Sequence, residues 1–155
     1  MGWLQGWIDR VFKIELIRSG DDCPPYLIRW WLASFFGWKL YLHHFVGDDG
    51  ARDLHDHPKK FISIGLWGSY IEETPYVDDR GGVSTVLVNR EHFRAPWIRS
   101  FPPEHKHRII LEPHKTCWTL VLVGGPQREW GFWVRGKFVP WFEYVHGIGD
   151  KDRDC

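Results

Sequence analysis

The chain has 155 residues, a mass of 18.4 kDa and equal numbers of basic (20) and acidic (20) side chains. This length supports one domain with a single hydrophobic core, which excludes a disulfide-held miniprotein. A hydrophobic share of 43% with 26% charged residues excludes a disordered chain. The zero formal net charge argues against general nucleic-acid binding and against binding to a charged membrane surface.

The cysteines and the N-terminus indicate a cytoplasmic protein. Cys23, Cys117 and Cys155 include no C-x-x-C pair, and an odd number of thiols does not resemble a disulfide framework. The first residues, MGWLQGWIDR, lack the basic start and apolar run of a secretory signal. Every apolar run is shorter than the roughly 20 residues that a membrane helix requires. We therefore expect a soluble protein in a reducing compartment.

The predicted elements are one short helix followed by strands. Apolar residues recur at helical spacing from Trp3 to Phe12, before the turn sequence SGDD, so residues 1–22 are predicted to be a helical extension. Aromatic and β-branched runs then predict strands over 26–32, 38–46, 61–71, 83–88, 107–111, 116–123, 129–134 and 137–145. Because the intervening segments are turns and not helices, residues 23–146 are predicted to form an antiparallel sandwich or barrel. The charged residues 147–155 are predicted to be a flexible tail.

The motif with the clearest chemical meaning is the H-x-H step His55-Asp56-His57, which follows a Gly/Asp turn. Residues two apart in a strand face the same way, so both imidazoles can offer nitrogen atoms to one cation. Two exposed turn histidines are the alternative explanation of this pair alone.

A second histidine group begins the predicted strand about fifty residues later, in the sequence Pro102-Pro103-Glu104-His105-Lys106-His107. In a rolled antiparallel barrel this strand can lie beside the first motif. His105 and His107 have the same face parity, so either can be the third ligand.

The order of these two motifs resembles that of the cupin superfamily over about residues 36–145. His55, His57 and Gly68 fall at the spacing of the first cupin motif, and Pro102 and His107 at that of the second, with Glu104 in place of the usual Gly. The resemblance implies a double-stranded β-helix, the cupin jelly-roll barrel. It also favours His107 over His105.

One position departs from the cupin pattern. The residue expected to be a ligand Glu is Phe61 or Ile62. The resemblance therefore implies a metal site of three histidines, His55, His57 and His107, without a carboxylate from that strand. Asp53 and Glu104 are alternative sources of a carboxylate, although neither is at the family's ligand position.

Thiol dioxygenases are cupins with a three-histidine site, and the resemblance to them implies a mononuclear metal-dependent oxygenase acting on a small polar molecule. The cofactor is one divalent transition-metal ion, with iron preferred and nickel, manganese and zinc as alternatives. A non-catalytic module that binds a small ligand is an alternative function. A metal-independent sugar-nucleotide epimerase or isomerase, with a His base and a Tyr acid, is another.

Further side chains are candidates for contact with a small-molecule substrate or ligand. Tyr41, His43 and Cys117 are candidates if their strand faces point into the barrel, and His105 is one because it lies in the second histidine motif. Trp118 is a candidate stacking surface for a planar ligand. Nothing in the sequence indicates a membrane or nucleic-acid partner, and a homodimer is compatible with it.

Overall fold

A computed structural model describes residues 12–18, 23–48 and 53–147. Within these ranges the chain forms eleven strands and one short helix, and all strand pairs are antiparallel. The strands are β1 (Lys13–Arg18), β2 (Pro25–Phe35), β3 (Trp38–Phe45), β4 (Leu54–His55), β5 (Phe61–Val77), β6 (Val83–Arg94), β7 (Trp97–Phe101), β8 (Arg108–Ile110), β9 (Cys117–Val123), β10 (Gly131–Val134) and β11 (Lys137–Pro140). The helix, α1, is Trp141–His146.

The strands form two sheets on either side of a cavity. The larger sheet has the order β1-β2-β3-β9-β5-β6, with β7 and β8 also paired to β5, and the smaller has the order β11-β10-β4. Side chains of both sheets line the cavity between them. The all-β, antiparallel architecture predicted from the aromatic and β-branched runs is confirmed.

Strand β5 changes partners half-way along its length. Along one edge, residues 61–68 pair with β9 and residues 71–73 with β8; along the other edge, residues 61–65 pair with β7 and residues 69–77 with β6. Gly68 lies at this change with a φ of 84°, and a Cβ there would come within 2.0 Å of the carbonyl oxygen of Thr116. Glycine is required because both the left-handed conformation and the close approach of β9 exclude a side chain.

Several boundaries differ from those predicted. Residues Lys13–Arg18 form a strand paired with β2, although they were assigned to a helical extension. The predicted helix itself, up to Val11, lies outside the described residues. Conversely, the predicted strand over 137–145 ends at Pro140 and continues as α1, in which Tyr144 stacks on Phe132 with ring centroids 3.8 Å apart. Its aromatic sequence WFEYV is equally compatible with a strand, so tertiary packing determines that this segment is helical.

The cysteines also differ from expectation. Cys23 is buried and disulfide-bonded, so the three thiols are not all free, while Cys117 is a buried free thiol. The sequence argument for a reducing compartment therefore loses its basis. Within the described ranges, the structure has no helix with the length and hydrophobicity of a membrane span.

Candidate metal centre and ligand cavity

Backbone pairing brings the two histidine motifs together. The N–H of His55 donates to the carbonyl of His107, and the N–H of His107 donates to the carbonyl of His55, both at 2.9 Å. The N–H of His57 donates to the carbonyl of Pro103 at 3.0 Å. The segment that begins at β4 therefore runs antiparallel to the residues just before β8.

Asp56 points away from the two histidines that flank it and anchors this segment. It is 1% exposed, and its carboxylate accepts hydrogen bonds from Arg128 at 2.7 Å and from the N–H of Gly131 at 3.0 Å. Because neighbouring residues of an extended chain face opposite sides, fixing Asp56 directs His55 and His57 toward the cavity.

His55, His57 and His107 form a compact donor cluster. Their ligand nitrogen atoms lie within 4.8 Å of one another, and the Nε2 atoms of His57 and His107 are 2.8 Å apart. Two nitrogen atoms bound to one metal ion at about 2.1 Å and at right angles lie about 3 Å apart. The residues present therefore fit a metal ion, and they can hold one without large side-chain movement.

The protonation states also suit a metal site. Burial and the nearby imidazoles of His107, His55 and His105 hold the pKa of His57 well below its usual value. Burial lowers the pKa of His107 to about 4, against the opposing hydrogen bond with Glu72. Both rings are therefore neutral at pH 7, which leaves nitrogen lone pairs available as ligands.

Glu72, on β5, contacts the cluster through the Nδ1 side of the His107 ring. Its Oε1 lies 2.7 Å from Nδ1 of His107 and 2.9 Å from Nε2 of His105, and Arg99 donates to Oε2 at 2.5 Å. Burial would raise the pKa of Glu72, but the hydrogen bonds with His105, His107 and Arg99 outweigh it and hold the pKa below the usual range. An ionised Glu72 accepts the Nδ1 proton of His107 and so directs the lone pair of Nε2 to the centre.

The sequence did not single out Glu72 as part of the site. It comes fifteen residues after His57, and the pairing of β5 with β8 brings it next to His107. The available signal was an adjacent acidic pair, Glu72 and Glu73, directly after the predicted strand 61–71. In the structure both lie inside β5 and are buried, and acidic residues are seldom buried without partners. Glu72, His105 and His107 also form a second group with metal-ligand geometry.

Phe61 lies close to the histidine cluster. Its ring meets that of His57 edge-on at a centroid distance of 4.8 Å and stacks on Phe101 at 4.6 Å. An aromatic ring therefore lies where the cupin pattern would place a carboxylate.

The cluster opens into a cavity of about 450 Å³, within the range of small-molecule sites. The three histidines line one part of it, and most of the remaining wall is aromatic or aliphatic. The apolar wall includes Leu27, Tyr41, Phe45, Phe61, Tyr70, Phe101, Ile109, Val121, Trp130 and Phe132.

Two of the other predicted contact residues line this cavity, namely Tyr41 and His43. His105 forms a hydrogen bond with Glu72 and is not part of the cavity wall. Cys117 packs in the core with Phe45 and Tyr70 and is not part of the cavity wall.

Trp118 is also outside the cavity wall, because it alternates with Cys117 and Thr119 along β9 and faces the other side of the sheet. There it stacks on His44 at a centroid distance of 4.0 Å. The alternative carboxylates are elsewhere: Asp53 accepts a hydrogen bond from Tyr144 at 3.1 Å, and Glu104 is exposed.

Comparison with known proteins gives a match by structure only. Searches of protein-family models and of curated protein sequences returned no match. Among solved structures, the polyketide cyclase RemF from Streptomyces resistomycificus superimposes with a TM-score of 0.56 and 17% identity over 88% of each chain. The chain has the cupin fold.

Two further structures share this cupin architecture at lower coverage. FeII HppE matches with a TM-score of 0.50 and 9% identity over 72% of this chain and 56% of HppE. A variant of the oxalate decarboxylase of Bacillus subtilis matches with a TM-score of 0.51 and 13% identity over 76% of this chain and 28% of the decarboxylase. At such low identity these cupins establish the fold, and the activity must be argued from the site.

Proposed function

We propose that this cupin binds one divalent transition-metal ion through His55, His57 and His107 and uses it to transform a small molecule held in the cavity. The observation that carries the proposal is the 2.8 Å approach of the His57 and His107 Nε2 atoms beside His55, at the wall of a 450 Å³ cavity. Three neutral imidazoles can lie close together without strong electrostatic repulsion, and one cation can bind to all three.

The donor set favours an oxygenase. Three imidazoles leave coordination positions open, and a bound ferrous ion in such a site can activate oxygen or a chelating substrate. Iron is the preferred ion, and FeII HppE has the same fold. Zinc, nickel and manganese are the alternatives that a three-histidine site also accepts.

The cavity wall favours a substrate with an apolar body over the small polar molecule suggested by the sequence. Its surface is mostly aromatic and aliphatic, so a molecule that is polar over its whole surface would lose more hydration there than the few polar groups of the wall can replace. The same wall supports a second candidate function, a non-catalytic module that binds an apolar ligand.

A metal-independent epimerase receives less support. Such an enzyme needs a Tyr acid, for which Tyr41 and Tyr70 are the candidates, and Tyr70 is the one bonded to Arg99 beside the histidine network. Burial and the neighbouring Glu72 raise its pKa above the usual value, although Arg99 opposes the shift. A tyrosine with a raised pKa is a poor proton donor at neutral pH.

Metal analysis of protein purified without a His tag tests the proposal. After incubation with iron(II) under anaerobic conditions, we expect about one metal per chain, lost in His57→Ala and His107→Ala. His105→Ala is the matched control, because His105 bonds to Glu72 and packs against the His107 ring at a centroid distance of 5.1 Å, but is not one of the three proposed ligands. A wild-type protein that stays metal-free with iron, nickel, manganese and zinc would refute the metal centre.

Oxygen uptake then separates enzyme from binding module. The iron-loaded protein is screened with thiols, other polar metabolites and hydroxylated aromatic compounds, with metal-free His57→Ala as the background. Substrate-dependent uptake above that background supports an oxygenase. Tight binding of a compound without uptake or product supports the non-catalytic module.

A further inference from the structure

A row of polar side chains crosses the inner face of the large sheet. Arg29, His43 and Thr119 are direct cross-strand neighbours on β2, β3 and β9. Cross-strand partners share one face of a sheet, with Cβ atoms about 5 Å apart. All three line the cavity, so the row forms a polar band in a mostly apolar wall.

Two atoms of this row have unused hydrogen-bonding capacity. Nε2 of His43 and Oγ1 of Thr119 are buried and have no hydrogen-bond partner among the described residues. Thr119 as a whole is 1% exposed. Burying such a group without a partner is unfavourable, so a ligand that pairs with both atoms gains affinity from them.

The charges around the row favour a neutral ligand. The guanidinium of Arg29 is paired with Glu15 and lies 5.0 Å above the ring of Tyr41, so its charge is already balanced. Burial, together with Arg29, lowers the pKa of His43 to about 3, so its imidazole is neutral at pH 7. The other cationic residue of the wall, Lys59, is two positions from His57, at the metal end of the cavity.

The wall around the row sets the shape of the ligand. The residues next to His43 on the same face of β3 are Tyr41 and Phe45, whose rings each lie 6.0 Å from the imidazole. Flat apolar surfaces on both sides favour an aromatic body.

We propose that His43 and Thr119 form a polar subsite that binds the hydroxyl or carbonyl group of a neutral aromatic ligand, with the rest of the ligand extending toward His55, His57 and His107. Only the position of the far end rests on the proposed metal function. The subsite itself depends on the cavity and on the two unpaired atoms.

The test compares 1-naphthol with naphthalene, which differ by one hydroxyl group, in metal-free protein. Affinities come from quenching of tryptophan fluorescence, and the measured quantity is the ratio of the two affinities. We expect Thr119→Val and His43→Leu each to lower the preference for 1-naphthol about tenfold, a loss comparable to one or two hydrogen bonds. Naphthalene should bind equally well or better, since the variants remove a buried unpaired group.

Two variants serve as controls. Thr119→Ser keeps the hydroxyl and should keep the preference. His44→Leu replaces the neighbouring histidine on β3, which stacks on Trp118 outside the cavity wall, and should leave the preference unchanged. A near-ultraviolet circular dichroism spectrum like that of the wild type confirms that each variant is folded.

The outcomes distinguish this proposal from the metal function. A preference that survives in both Thr119→Val and His43→Leu would overturn the subsite, because the hydroxyl would then bind elsewhere. A preference that disappears in His44→Leu would overturn it too, because the effect would not be specific to the cavity face. Failure of the wild type to bind either compound would overturn it as well. Failure of the separate metal titration would overturn the proposed metal centre and leave the naphthol result unaffected.

Discussion

His107 faces Glu72 with one ring nitrogen and His57 with the other. Its Nδ1 lies 2.7 Å from Oε1 of Glu72, and its Nε2 lies 2.8 Å from Nε2 of His57. A carboxylate that holds one nitrogen fixes the tautomer and orientation of the ring and makes the other nitrogen a better ligand. His107 thereby connects the candidate metal centre to the buried Glu72 and, through it, to His105 and Arg99.

Replacing the carboxylate should weaken metal binding. Glu72→Gln keeps a hydrogen-bond acceptor near His107 but removes the negative charge, so we expect zinc affinity to fall about 10–100-fold. Competition with a chromogenic chelator measures this affinity. Glu73→Gln is the control, because Glu73 binds Arg90 and Arg108 and has no contact with the cluster. Equal losses in both variants would show that the effect is general destabilisation.

Asp56 should contribute more to stability than Asp53. Asp56→Ala removes hydrogen bonds with Arg128, Gly131 and Trp133. We expect it to lower the free energy of unfolding by about 2–3 kcal/mol, since a buried backbone N–H loses its partner. Asp53→Ala removes one hydrogen bond with Tyr144 and should cost about 1 kcal/mol. Urea denaturation measures both, and equal values would contradict the anchoring role of Asp56.

Gly68 and Gly81 offer a matched test of backbone crowding. Both have φ near 80°, but a Cβ at Gly68 would meet Thr116, whereas a Cβ at Gly81 would meet nothing within 4 Å. Gly81→Ala should cost about 1 kcal/mol, which reflects the conformation alone. Gly68→Ala should cost about 3 kcal/mol or more, because β9 must also move. Thermal unfolding compares the two, and a Gly68→Ala variant no less stable than Gly81→Ala would contradict this account.

Cys117 should resist alkylation in the folded protein. It is fully buried, and burial raises the pKa of its thiol to about 12. Below that pKa the thiolate fraction grows about tenfold per pH unit, so reaction with iodoacetamide should be very slow at pH 7 and about a hundredfold faster, though still slow, at pH 9. Peptide mapping by mass spectrometry measures the modification, and unfolded protein in guanidinium is the control. Rapid labelling of Cys117 in protein with a native spectrum would contradict its burial.

The strands could be predicted from the sequence because the residue pattern that favours them is local. Aromatic and β-branched runs separated by Gly, Pro and Asp turns predicted strands such as β2, β3 and β9 close to their observed bounds. The spacing of His55, His57 and His107 likewise directed attention to residues whose nitrogen atoms the fold places within 4.8 Å. The short strand β4 and the helix α1 were missed, since two residues or an aromatic hexamer carry no distinctive period.

Only the tertiary structure decided which distant groups meet. Glu72 reaches His107 because β5 is long enough to pair with β9 and then with β8, which brings residues 35 positions apart into hydrogen-bond contact. His43 and Thr119 are neighbours because β3 and β9 pair in one register, which no local pattern specifies. The sequence by itself determined strands, turns and the histidine spacing, because these depend on side chains a few residues apart. The pairing of strands, the closure of the cavity and the burial of charge depend on the packing of the whole chain. They determined which distant side chains meet at the candidate site.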